Sequence, residues 1–168
     1  ISYRLVGSEM CIRDRGNVVL GMNRAHFLSY EIPASGGGMK DVVGLFNHDN
    51  FARSLPETKT VLSASLISGN HTVGAFYRMI SDYETTNPPN ALGVANGLGQ
   101  EIDEFNVLDL KYSYNFDMDD SSLRLSLGVK NATDEEVPMF YDASNFSYDT
   151  RQHDPRGKMV YVGLKYSR

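Results

Sequence analysis

The chain has 168 residues, with 21 acidic against 16 basic side chains and a net charge of −5. That balance provides no clustered Lys/Arg footprint for nucleic acid, and its one cysteine, Cys11, leaves no internal disulfide framework or multi-cysteine metal site. No run of about 18 apolar residues occurs, so no transmembrane helix is expected; the mean hydropathy of −0.34 suits a soluble domain, or a barrel in which half of each strand is polar.

Residues 1–15 stand apart. Leu5 to Arg15, LVGSEMCIRDR, resembles a translated sequencing-library adapter, because codons for Met10-Cys11-Ile12-Arg13-Asp14 would spell ATGTGTATAAGAGAC. These residues are read as an unstructured leader, and the domain as 16–168.

Side chains alternate between the two faces of a strand, so alternation of apolar and polar residues predicts strands with one face of each kind. The first candidate runs from Asn17 to Ile32. Val18, Leu20 and Met22 share a face, as do Leu28, Tyr30 and Ile32, while Arg24 and His26 interrupt the pattern and suggest a β-bulge. Pro33 to Pro56 is a loop, with a possible short strand at Asp41–Asn47. A hairpin follows. Thr60, Leu62, Ala64 and Leu66 form the apolar face of its first strand, Ser68-Gly69-Asn70-His71 the turn. Val73, Ala75, Tyr77, Met79 and Tyr83 face the apolar side of the return strand, opposite Gly74, Arg78 and Asp82.

Thr85 to Asp103 reads as a second long loop. The strand Glu104–Asp117 then places Leu108, Leu110, Tyr112, Tyr114 and Phe116 on one face, and Asp109, Lys111, Ser113 and Asn115 on the other. After a tight acidic turn at Asp117–Ser121, Leu123, Leu125, Leu127 and Val129 alternate with Arg124, Ser126, Gly128 and Lys130. Ala132 to Arg156 is a third long loop. The last strand alternates Val160, Val162, Leu164 and Tyr166 with Tyr161, Gly163, Lys165 and Ser167. The expected fold is all-β: an antiparallel meander of about six long strands whose loops alternate long and short, as in outer-membrane barrels.

The quoted runs also carry a resemblance. LSLGVKNATDEEVPMFYD, with Val129, Asn131 and Asp134 in a VxNxxD pattern, is followed by a long loop and a last strand opened by DPRG, Asp154 to Gly157. With FNVLDLKYSYNF before them, these segments resemble the C-terminal end of a TonB-dependent outer-membrane receptor. The chain departs from that family at its last residue: Arg168 stands where an aromatic residue is usual, on the parity of Tyr166, where a cation can snorkel at a membrane rim.

The resemblance implies the C-terminal part of a transmembrane barrel of about 22 strands, open as a fragment, in the bacterial outer membrane. It implies an N-terminal plug domain and a TonB box upstream, a TonB complex that transduces energy, lipid on one face and a scarce small nutrient such as a siderophore or carbohydrate as cargo. Arg78, Lys111, Arg124, Lys130 and Lys165 are then expected to face the lumen or plug. The third loop would be extracellular and Asp117–Ser121 periplasmic.

Other chemistry finds little footing. The four histidines lie in separate segments without metal-ligand spacing. Asp117 to Asp120 lacks the spaced ligands, Gly and distal Glu of an EF-hand loop. No nucleophile, base and orienting group can be assembled, so neither catalysis nor a cofactor or metal is expected. Aromatic residues are prominent, with ten Tyr and eight Phe but no Trp. Tyr83, Tyr112, Tyr114, Phe116 and Tyr166 would form an aromatic girdle at strand ends. In the third loop, Tyr141, Asp142, Asn145, Tyr148, Arg151 and His153 combine stacking surfaces with hydrogen-bonding groups. They are candidates to hold a sugar or peptide-like ligand, although a loop packed on itself accounts for the same residues. Two other classes remain open: a passive porin-like channel, and a soluble β-barrel or sandwich that binds a ligand.

Overall fold

A computed structural model describes residues 2–5, 9–12, 16–46, 54–140 and 147–168, the first two segments by their backbone alone. The strands β1 (Ser2–Leu5) and β2 (Glu9–Ile12) run antiparallel along one side of β3 (Gly16–His26). The chain continues through β4 (Glu31–Pro33), β5 (Met39–Asp41), β6 (Leu45–Phe46) and β7 (Ser54–Leu55) into the hairpin of β8 (Thr58–Ser68) and β9 (His71–Ile80). Next come β10 (Tyr83–Thr85), a short helix α1 (Ala91–Ala95), β11 (Glu101–Ile102), β12 (Phe105–Met118), β13 (Ser121–Lys130) and β14 (Met159–Ser167).

The main sheet has eight strands, of which β3, β8, β9, β12, β13 and β14 are long and pair in sequence order, all antiparallel. The two short turns, Gly69-Asn70 and Asp119-Asp120, lie at one end, and the three long connections lie at the other. Gly69 takes a φ of 54°, which a side chain would oppose. Among the described residues the sheet does not close on itself: β14 pairs only with β13, and β1 and β2 form the opposite margin.

Register places the alternating faces as the sequence predicts. Leu110, Val129 and Val160 meet across three strands on the apolar face, and Asn115, Arg124 and Lys165 do so on the polar face. Most of the apolar face is uncovered. On β14, Val160, Val162, Leu164 and Tyr166 are between 60% and 74% exposed. Near the short turns this face carries an aromatic cluster. The His71 ring lies 4.7 Å from Tyr114, its Nδ1 2.8 Å from the Tyr112 hydroxyl, and Tyr114 packs edge-on to Phe116 at 4.6 Å.

Three expectations are corrected. The first long strand carries no bulge. Its register against β8 runs unbroken from Asn17↔Ile67 to His26↔Thr58, and the strand simply ends at His26. Arg24 and His26 remain on the apolar face at its long-loop end, opposite Thr60 and Thr58. Likewise β9 ends at Ile80, so Tyr83 and Asp82 do not extend its faces, and Tyr83 leaves the girdle for the interior of the loops. Finally, the long connections have structure of their own. In a small sheet ordered β11-β10-β6-β7, β10 and β6 pair parallel, an exception to the antiparallel rule.

That loop layer contains the best-buried side chains. Tyr83, Ile102 and Phe140 form its core, and Phe46 meets Phe140 edge-on at 5.5 Å. The Tyr83 hydroxyl donates to Asp149 Oδ2 at 2.8 Å, a buried bond that joins the second connection to the third. Helix α1 is capped by Asn90, whose side-chain oxygen accepts from the Leu92 and Gly93 amides at 3.0 Å.

Candidate functional site

Where the polar face runs under the loop layer there is a cavity of about 360 Å³. Alternation alone sends Lys59, Arg78, Asp109 and Lys130 to this face, since they share a parity across β8, β9, β12 and β13. Val61, Phe105 and Val107 supply an apolar floor, and the third connection adds Gln152, Asp154 and Arg156 from above.

Two of the cations, Arg78 and Arg156, are held against carboxylates. Arg78 Nη2 lies 3.1 Å from Asp109 Oδ2 and donates to Oδ1 at 3.2 Å, and the same Oδ1 accepts the Asn131 amide at 2.9 Å. Asp154 Oδ1 accepts from Arg156 Nε at 2.8 Å and from its amide at 3.2 Å. These contacts hold the Asp154 carboxyl down at about 2 and raise the Arg156 guanidinium. Lys59 Nζ donates to Gln152 Oε1, whose amide nitrogen donates to the Ser54 carbonyl at 3.1 Å and to its hydroxyl at 3.0 Å. Lys130 is exposed at the mouth.

Beside the cavity, the two motifs read from the sequence meet. Asn131, at a φ of 49°, turns the chain out of β13; its Oδ1 accepts the Glu135 amide at 2.8 Å and its Nδ2 donates to the Glu135 carbonyl at 2.9 Å. Asp134, also left-handed at 59°, accepts the Lys158 amide at 2.8 Å, directly after Gly157 at 64°. The VxNxxD and DPRG segments therefore form the base of the third connection.

The predicted site residues divide. Arg78 and Lys130 line the cavity. Lys111, Arg124 and Lys165 lie on the same face nearer the short turns; Arg124 Nε donates to Asn115 Oδ1 at 2.6 Å and sits opposite Lys165. Tyr141, Asp142 and Asn145 fall outside the described residues. Tyr148 is half-buried and Arg151 exposed, while His153 is 4% exposed, under the loop layer. Among the described residues no group of three or more His, Cys, Asp or Glu side chains is placed to hold a metal ion.

Sequence reasoning missed Lys59, Gln152, Asp154 and Arg156. Parity already put Lys59 on the polar face opposite Thr60; the DPRG motif marked Asp154 and Arg156 only as the opening of the last strand, nothing local signalled Gln152, and the position of all three depends on how the third connection folds back.

Searches against protein-family models, curated proteins and solved structures return no match. The arrangement itself offers a shaped, water-accessible recess with four cations, two carboxylates and an apolar floor. It suits a small solute bearing polar or anionic groups on a hydrophobic frame.

Proposed function

We propose that this chain is the C-terminal wall segment of a TonB-dependent outer-membrane receptor, which imports a scarce small nutrient past a plug domain. One observation carries the reading: a sequence-ordered antiparallel meander leaves most of one face apolar and uncovered, with polar residues at its long-loop rim, and gathers its charges on the other. Fully burying a Val or Leu side chain is worth about 1.5–3 kcal/mol, so the row from Val160 to Leu164 calls for an apolar covering. Lipid meets that need along every strand at once. Even β14, the shortest of the six at nine residues, is long enough, since about 9–11 residues span a bilayer as a tilted strand. Further support comes from the alternation of short turns and long connections and from the aromatic cluster around Tyr114 at the short-turn end.

On this reading the cavity under the third connection is part of the route that the solute takes, on the lumen side and near the outer surface. Its residues bind and orient, and none acts as a catalyst.

The test is to express the protein from its complete reading frame in a bacterium with an outer membrane. The proposal expects it in the outer-membrane fraction, extractable only with detergent, with a gel mobility that changes on boiling as closed barrels do. A soluble monomer that melts cooperatively without detergent would overturn it in favour of a soluble ligand-binding sheet.

A further inference from the structure

We propose that Asp149–Arg156 is a latch over the polar-face cavity, and that protonation of His153 releases it. The inference deepens the reading of that cavity as a solute site and rests on it.

The segment is compact in itself. The His153 and Gln152 amides donate to the Asp149 carbonyl at 3.0 and 3.3 Å, and the Arg151 amide donates to Asp149 Oδ1 at 2.9 Å. It is also fastened to three other parts of the chain. Gln152 bridges Ser54 and Lys59, Asp149 takes the Tyr83 hydroxyl, and the His153 ring packs 5.0 Å from Phe105 and 6.0 Å from Tyr83. Gln152, Asp154 and Arg156 line the cavity, so movement of this segment uncovers it.

His153 differs from the other fastenings. It is buried, yet neither ring nitrogen has a hydrogen-bond partner among the described residues. A neutral imidazole tolerates that environment; an imidazolium would bring a charge and two donors that need acceptors. The groups facing it come from four elements. Phe105 of β12 is apolar, and the Tyr83 hydroxyl of β10 is already donated to Asp149. Lys59 of β8 opposes a second cation, and Asp149 on the segment itself favours one. Burial is the largest influence and holds the imidazole below its ordinary value.

The sign follows. A base whose value is lower in the closed state binds fewer protons there than when released. Closure is therefore fully favoured above the released value of about 6.5 and weakens as pH falls below it. Release lets the imidazolium reach water.

The experiment reads the latch without any solute, so it stands apart from whether the cavity binds one. The protein from its complete reading frame, in detergent micelles, carries a nitroxide at Arg151→Cys, with other cysteines replaced by serine. Its electron paramagnetic resonance spectrum is followed from about pH 8 to about pH 5. The expected result is a reversible mobile component that grows from minor to major, with a midpoint below about 6.5. His153→Phe keeps an aromatic ring in place and should abolish the change. Asp149→Asn keeps one acceptor oxygen, for the Tyr83 hydroxyl or the Arg151 backbone amide but not both, and removes the carboxylate that favours protonation; it should move the midpoint to lower pH. A pH-independent spectrum in the parent protein, or an unchanged transition in both variants, would overturn the proposal.

Discussion

The Asp134 carboxylate accepts the backbone N–H of Lys158 at 2.8 Å, across 24 positions of sequence, and so fixes where β14 begins beside the end of β13. The residue before Lys158 leaves it room: a Cβ on Gly157 would stand 3.2 Å from Asp134 Oδ1, and Gly157 already has a φ of 64°. Two sequence motifs thus act as one clamp at the foot of the third long connection.

Replacing Gly157 by alanine should therefore destabilise the protein by about 1–2 kcal/mol, the cost of a left-handed backbone with a side chain, with a further loss if Asp134 is displaced. Asp134→Asn keeps an acceptor and should be milder than Asp134→Ala. Denaturant unfolding in micelles measures the series. An alanine variant at 157 as stable as the parent would show that the clamp contributes nothing.

A second prediction concerns Gly128. A Cβ there would overlap the ring of Tyr161, its direct partner across β13 and β14. Gly128→Val should cost on the order of 1–3 kcal/mol through overpacking. Tyr161→Ala in the same chain should restore part of that loss. Equal unfolding midpoints for Gly128→Val with and without Tyr161 would refute the contact.

Tyr83→Phe removes the donor to Asp149 Oδ2 and leaves that buried oxygen unpaired; the other oxygen keeps the Arg151 amide. The expected penalty is about 1–3 kcal/mol. It should appear as faster hydrogen exchange in 83–85 and 147–153, with β12 and β13 unaffected. Loosening of the long strands instead would mean that Tyr83 supports the wall rather than the loops.

Orientation is the fourth prediction. On intact cells a membrane-impermeant label should reach cysteines placed at Arg151 and Thr150, and should fail to reach one at Asp119 until the outer membrane is opened. The reverse pattern would invert the topology.

How far the sequence could be read varies with distance along the chain. Leu123, Leu125, Leu127 and Val129 declare a strand by themselves, because each side chain's face depends only on its neighbours. The turn residues Gly69-Asn70 and Asp119-Asp120 are equally local. Tyr83 was misassigned because parity was carried past Ile80, where pairing stops and parity loses its meaning. Arg24 and His26 invited a bulge because two polar residues on an apolar face look like a change of register; they mark its rim. The burial of His153 was beyond reach, for it depends on Lys59, Tyr83 and Phe105, residues far away in sequence whose approach no local pattern encodes. The cavity was half legible for the same reason: its floor follows from alternation, and its roof does not.

The division between wall and roof also sets an order of assembly. Each long strand finds its partner in the next one along the chain, and two of the five joints close over only two residues. The roof ties Tyr83 to Asp149 over 66 positions and Ser54 to Gln152 over 98. Loop-closure entropy rises with the length enclosed, and contacts between distant positions form slowly. The hairpins β8–β9 and β12–β13 should zip first and the roof last, so that a defect near Gln152 delays completion of the cavity while the sheet beneath it is already built.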